Sequence, residues 1–134
     1  MNSETNPSLL QDGRTFIDSS LTFNLPDLIE TMKQSLTWTQ GELEEIILLK
    51  NPEKQVVLAA LHEATEIKFF PSNDSITFQI IEGKIRIQSR KEFITLIKGQ
   101  ILTLHKNLRL ILTTMEETVF LLTIANGGSP MSIN

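Results

Sequence analysis

An uninterrupted alternation of side chains on both sides of a Glu-Gly dipeptide limits what this chain can fold into. In the stretch Ser75–Gln88, apolar residues fill every second position before and after Glu82-Gly83, where the sequence reads SITFQII and KIRIQ. Alternation of this kind is typical of a half-buried β-strand, and a two-residue turn ending in Gly is typical of a β-hairpin. The stretch therefore predicts the central hairpin of an all-β domain.

Similar runs occur along the chain from Glu44 to Ile124. They include EEIILLK, QVVLAALHE, EFITLI and TVFLLTI, and turn signals such as NPEK and KG separate them. About nine short strands with regularly spaced turns predict a sandwich, jelly roll or barrel. Because LRLILTT and TVFLLTI are apolar on both faces, we expect these strands to be buried between two sheets and a helix, or in a subunit interface.

One short α-helix is predicted ahead of these strands, near residues 25–36. Asn24 has a capping side chain, and Pro26 and Asp27 suit a first helical turn. Leu and other apolar residues then follow at helical spacing, which indicates a helix packed on the outside of the sheet. Trp38, just past the predicted end, is expected to anchor the helix exit by burying its indole ring.

The chain has 134 residues, enough for one domain with its own core. Segments 1–15 and 126–134 are rich in small polar residues and lack periodicity, so we expect both to be flexible around a domain at 16–125. The chain has no Cys and no run of membrane-spanning or signal-peptide character. These features predict a cytoplasmic protein without membrane association.

A net charge of −4 disfavours nucleic acid as a partner, because phosphate binding requires a concentrated basic surface. The segment from Lys84 to Lys98 is locally basic, but Lys84 and Arg86 lie two apart on a predicted strand. Such spacing is typical of a solvated strand face, which is the interpretation favoured here over an anion site.

No catalytic or metal-binding motif stands out. The two histidines, His62 and His105, each end a predicted strand, and neither has further ligands at a suitable spacing. The carboxylates cluster beside turns, and Tyr and Gly-rich phosphate loops are absent. The sequence therefore predicts no catalytic residues, no metal site and no cofactor.

The order of these features resembles small single-domain bacterial cupins of the RmlC-like type. The resemblance extends from about Leu21 to Ile124, and its firmest marks are Gly83 in the first motif and Gly99 in the second, followed by a C-terminal LLT strand. It implies a double-stranded β-helix, that is, a jelly-roll barrel, with the short helix outside. It also implies a homodimer.

The metal ligands of that family have no counterparts here. Alignment from Gly83 places Ile76 at the position of the family's Glu, Phe70 at a His position and Ser72 near another. Alignment of the LLT strand places Leu110 at the position of the last His. The resemblance therefore implies a cupin that has lost its metal.

From this we predict a metal-free, non-catalytic module for binding a small apolar or amphipathic molecule, or for protein interaction. The expected apolar barrel pocket consists of Phe70, Ile76, Phe78, Leu110 and Leu112. An alternative is that these side chains only fill the barrel, as in other small barrels. Two further alternatives are a metal-independent enzyme related to epimerases or isomerases, and a purely structural or regulatory homodimer.

Overall fold

The computed structural model describes residues 14–17, 20–104 and 109–126. The first strands and the helices are β1 (Arg14–Ile17), β2 (Ser20–Phe23), α1 (Leu25–Lys33) and α2 (Leu36–Thr39). They are followed by β3 (Glu44–Lys50), β4 (Lys54–Leu61), β5 (Glu66–Phe69), β6 (Ser75–Glu82), β7 (Lys84–Gln88), β8 (Phe93–Ile97), β9 (Ile101–Leu104), β10 (Leu110–Thr114) and β11 (Thr118–Ala125). The segments predicted to be flexible lie outside the described residues, except for Arg14 and Thr15, which belong to β1, and Asn126.

Two antiparallel sheets form the body of the protein. One has the order β3-β4-β11-β6-β9 and the other has the order β5-β10-β7-β8, while β1 and β2 pair as a separate ribbon. The chain passes from one sheet to the other at every connection from β4 to β11 except the one between β7 and β8. This arrangement is a jelly roll, and it confirms the all-β class that alternation in the sequence predicted.

The central hairpin predicted at Ser75–Gln88 is wrong. Strand β6 pairs with β11 and β9, whereas β7 pairs with β10 and β8 in the other sheet. Gly83, at φ +98°, redirects the chain from one sheet to the other. Alternation shows that a strand has one buried face, but it does not show which strand lies beside it.

By contrast, β3 and β4 do form the expected hairpin. The Asn51 backbone N–H donates to the Lys54 carbonyl at 3.0 Å. The Asn51 side-chain oxygen accepts from the backbone N–H groups of Glu53 and Lys54 at 2.9 and 2.8 Å. These contacts are those of an Asx-type turn, which is why the NPEK signal was informative.

The turns after β4, β6, β8 and β10 lie at one end of the barrel, which we call the closed end (residues 62–65, 83, 98–100 and 115–117). Two buried hydroxyls join three of these turns. The Thr114 hydroxyl accepts from the Thr65 N–H at 2.8 Å and donates to the His62 carbonyl at 2.7 Å. The Thr118 hydroxyl accepts from the Lys84 N–H at 3.1 Å and donates to the Glu116 carbonyl at 2.8 Å.

The apolar side chains form two separate cores. The inner core lies between the two sheets and includes Phe78, Leu112 and Phe120. The outer core lies between the five-stranded sheet and the helices, and includes Met32 and Val119. Strand β11 contributes to both cores, which explains why TVFLLTI is apolar on both faces.

The single helix predicted near residues 25–36 is two short helices. Asn24 caps α1 as expected, because its side-chain oxygen accepts from the Asp27 N–H at 3.1 Å. The chain is then interrupted at Ser35, whose extended backbone and hydroxyl cap α2 by accepting from the Trp38 N–H at 3.1 Å. Trp38 is buried and stacks on the His62 ring with centroids 3.5 Å apart, so it anchors α2 to the closed end.

An ion-pair cluster fixes the end of α1 to the same end of the barrel. The Lys33 Nζ lies 2.6 Å from a carboxylate oxygen of Glu82 and 2.8 Å from one of Glu117. Burial alone would lower the pKa of Lys33, but hydrogen bonds to Glu117 and Glu82, together with their negative charges, outweigh it and raise that pKa above its ordinary value. The two acids stand on different turns, so one lysine joins the helix to both.

Replacing Gly83 with Ala should reduce the free energy of unfolding by at least about 3 kcal/mol, because the new Cβ would meet the Glu117 carbonyl and lie 2.5 Å from the Thr118 hydroxyl. Gly99→Ala is the matched control, since Gly99 has a similar φ of +88° but no atom within 4 Å of the place that a Cβ would take. It should cost only about 1 kcal/mol. Urea unfolding of both variants measures the difference, and equal losses would contradict the close approach at Gly83.

Candidate functional site

Four of the five predicted pocket residues lie inside the barrel. Ile76, Phe78, Leu110 and Leu112 are all buried and belong to the inner core. The Phe78 ring contacts Phe120 edge to face, with centroids 5.7 Å apart. These side chains pack against each other at the centre of the domain.

Phe70 needs a correction, because its side chain is 63% exposed and does not lie in the barrel interior. It follows the last residue of β5, and side chains of successive strand residues point to opposite faces. Its neighbour Phe69 is the inward residue, with its ring edge to face against Phe78 at 5.6 Å. Phe70 instead lies beside Arg109, whose guanidinium carbon is 5.5 Å from the ring centroid.

The centre of the barrel is filled by its own side chains. Phe78, Ile80, Ile85, Leu112 and Phe120 are at most 2% exposed. They come from both sheets and meet across the interior. A small barrel is commonly filled in this way, and space for a ligand must then lie nearer to its ends.

The described residues do not fit the metal site of the cupin resemblance. Ile76 and Leu110 stand at two of the expected ligand positions, and neither carries a donor atom. In residues 14–17, 20–104 and 109–126, no three His, Cys, Asp or Glu side chains converge. His62 stacks on Trp38 and its Nε2 lies 3.1 Å from the Trp38 carbonyl oxygen, which gives it a structural partner. His105 lies outside the described residues.

A cavity of about 200 Å³ opens at the opposite end of the barrel, which we call the open end (loops 70–74 and 89–92, and Arg109). Leu110, from the predicted set, lies at its base, and Ser89 and Glu92 form part of its wall. The remaining walls are apolar: Ile87, Phe93, Ile94, Leu102 and Leu104. We call this space the apolar cavity.

A second cavity of about 290 Å³ adjoins the first. It is lined by Ser89, Arg90, Lys91, Glu92 and Arg109, so it shares two wall residues with the apolar cavity. The described residues of its lining include three cations and one carboxylate, and we call it the cationic cavity. Together the two spaces form a site that is apolar on one side and positively charged on the other.

Most of this site was not predicted from the sequence. The residues of the loop at 89–92 belong to the locally basic segment that was interpreted as a solvated strand face. Lys84 and Arg86, on which that interpretation was based, are half-buried on β7, whereas Arg90 and Lys91 lie in the loop beyond it. The sequence feature that could have indicated this site is the basic pair Arg90-Lys91, which comes shortly after a strand. Loops that follow strand ends surround the opening of a barrel and often carry functional residues.

A larger apolar groove of about 480 Å³ lies outside the barrel. It runs between strand β2, the start of α1 and the outer face of the five-stranded sheet, with Phe23, Leu48 and Leu121 among its walls. The lining residues that the structure describes are all apolar, whereas charged side chains line the open end.

Three solved structures illustrate what this chain is similar to. The EutQ protein of Clostridium difficile has a TM-score of 0.69 at 13% identity, over 88% of this chain and 89% of that one. A cupin superfamily protein of Desulfitobacterium hafniense has a TM-score of 0.60 at 12% identity, over 63% and 77%. Ectoine synthase of P. lautus has a TM-score of 0.58 at 15% identity, over 63% and 64%.

The match to EutQ covers more of this chain than residues 44–125, which form the barrel, so it includes part of the chain outside the barrel. No protein-family model and no curated protein matches the sequence. Among the described residues, no helix is long and apolar enough to cross a membrane.

Truncating Phe69 and truncating Phe70 should have different consequences. Phe69→Ala removes a ring packed against the buried Phe78 and should lower the free energy of unfolding by about 3 kcal/mol. Phe70→Ala removes a largely exposed ring and should cost about 0.5 kcal/mol or less. Chemical denaturation of the pair tests the corrected orientation, which a larger loss for Phe70→Ala would contradict.

Proposed function

Since the chain has the cupin fold, which its jelly roll and its similarity to solved cupin structures establish, we propose that it is a non-catalytic module that binds a small amphipathic molecule. The binding site is the apolar cavity at the open end of the barrel. This proposal keeps the ligand class expected from the sequence, but moves the site from the filled interior to the barrel opening.

The observation that carries the proposal is the composition of the open end. The apolar cavity is formed by hydrophobic side chains from both sheets, and the polar residues among its described lining residues are Ser89 and Glu92. Ligand sites are typically apolar spaces with a small number of placed polar groups. With the cationic cavity beside it, the site falls within the usual size range of small-molecule sites.

A metal-independent enzyme of cupin ancestry is the alternative. Acid–base catalysis requires a titratable group within hydrogen-bond reach of a bound substrate. Glu92 is the carboxylate that lines both cavities, and it is exposed to solvent, whereas catalytic acids are typically desolvated or paired. The likeness to ectoine synthase concerns the fold alone and does not favour catalysis here.

Filling the apolar cavity should weaken binding of an apolar probe. Ile94 lines this cavity and is 39% exposed, so Ile94→Trp can place an indole there with little disturbance of the core. Ile47→Trp is the matched control, because Ile47 is 48% exposed on β3 and lies away from the open end cavities. A nuclear magnetic resonance titration with 1-hexanol should show binding to the wild type and the control, with about tenfold weaker binding to Ile94→Trp.

Two results of this titration would contradict the proposal. One is equal affinity of 1-hexanol for all three proteins. The other is a set of chemical-shift changes confined to the outer groove, for example at Leu48 and Leu121, which would move the ligand site away from the barrel opening.

We also propose that the module is a homodimer in the bacterial cytoplasm. Support for self-association comes from β8 and β9, each an edge strand of one of the two sheets, which expose Phe93, Ile97 and Ile101. Unpaired edge strands with apolar side chains are suited to pairing with another chain.

Native mass spectrometry should detect a dimer of the wild type. The double variant Ile97→Glu/Ile101→Glu should convert this dimer to monomer, and a monomeric wild type would refute the proposed homodimer.

A further inference from the structure

We infer that the molecule bound at the open end is an anion: a carboxylate attached to an apolar group of about six to eight carbon atoms. The inference rests on the proposed binding function and adds the chemical class of the ligand. Its basis is that the apolar cavity and the cationic cavity share a wall at Ser89 and Glu92.

The cationic cavity concentrates positive charge in an otherwise acidic chain. The chain has a net charge of −4, yet Arg90, Lys91 and Arg109 meet at this one cavity with Glu92 as the only acid among its described lining residues. None of the three cations forms a salt bridge with another described residue. Their charges are therefore available to an anionic group placed between them.

One aromatic ring contacts one of the cationic side chains, and one tight turn carries the other two. The exposed Phe70 ring makes a cation–π contact with Arg109, whose guanidinium carbon lies 5.5 Å from the ring centroid. The Ser89 backbone N–H donates to the Glu92 carbonyl at 2.8 Å, and the Ser89 hydroxyl donates to the same carbonyl at 3.2 Å. The tight turn between them therefore presents Arg90 and Lys91 as a pair.

The size of the apolar cavity limits the other half of the ligand. An apolar cavity of about 150 Å³ can hold benzene, so a space of about 200 Å³ accepts a ring or chain that is slightly larger. A ligand whose tail occupies this cavity and whose head extends past Ser89 reaches the three cations.

The balance of charges limits the charge of the head. Among the described lining residues, three cations and one acid leave an excess of two positive charges, which is enough for one carboxylate and too small for a polyphosphate. A guanidinium group binds a carboxylate and a phosphate in similar two-point geometry, so these two heads must be separated by experiment.

The test compares three probes with the same six-carbon tail: hexanoate, hexyl phosphate and 1-hexanol. Isothermal titration is carried out with the wild type, with Arg90→Gln/Lys91→Gln and with Lys68→Gln/Lys98→Gln. The last variant removes the same charge from exposed positions that line neither cavity.

We expect hexanoate to bind the wild type and the control variant at least about tenfold more tightly than 1-hexanol does, since a charge-assisted pair adds to the apolar contact. In Arg90→Gln/Lys91→Gln, hexanoate should lose about tenfold in affinity, while the affinity of 1-hexanol should change by less than about twofold. Added salt should weaken hexanoate binding to the wild type and leave 1-hexanol binding unaltered.

The outcomes separate this inference from the proposed function. Binding of 1-hexanol that depends on Ile94, with no advantage for hexanoate, overturns the anionic ligand and leaves the binding function in place. No binding of any probe overturns both. Hexyl phosphate binding about tenfold more tightly than hexanoate replaces the carboxylate with a phosphate and refutes the inference as stated.

Discussion

Two buried threonine hydroxyls hold the closed end of the barrel together. Thr114 and Thr118 flank the turn between β10 and β11, and each joins that turn to another crossing between the sheets. Because both side chains are almost completely buried, the loss of either hydroxyl would leave a backbone N–H without its partner, at a cost of about 1–3 kcal/mol. The positions of three crossings, and hence the alignment of the two sheets, depend on these contacts.

The helices reinforce this end of the molecule. Lys33 connects α1 to the turns that carry Glu82 and Glu117, and the stack of Trp38 on His62 connects α2 to the turn after β4. The inner and outer cores pack against opposite faces of the five-stranded sheet. The open end and the outer groove beside β2 and α1 remain accessible to a ligand.

Apolar residues occupy positions at which the cupin resemblance places metal ligands, and they pack into the inner core. Ile76 and Leu110 add to an inner core in which Phe69, Phe78 and Phe120 meet edge to face. Burial of such side chains contributes about 1.5–3 kcal/mol each, whereas an unpaired charged group at the same depth would be unfavourable. The interior then stabilises the fold, and the charged side chains of Arg90, Lys91 and Arg109 lie at the open end.

Local patterns in the sequence determined the class of the fold and most of the inner core. They also determined the hairpin at Asn51–Lys54 and the capping residue Asn24. Each of these features depends on residues that are neighbours in the chain. Only the tertiary structure decided that β6 and β7 belong to different sheets and that Phe69, rather than Phe70, points inward. It also decided that Arg109 meets Arg90 and Lys91 beside an apolar cavity. These features arise from pairing between strands that are distant in the sequence, and alternation alone carries no information about which distant strand is the partner.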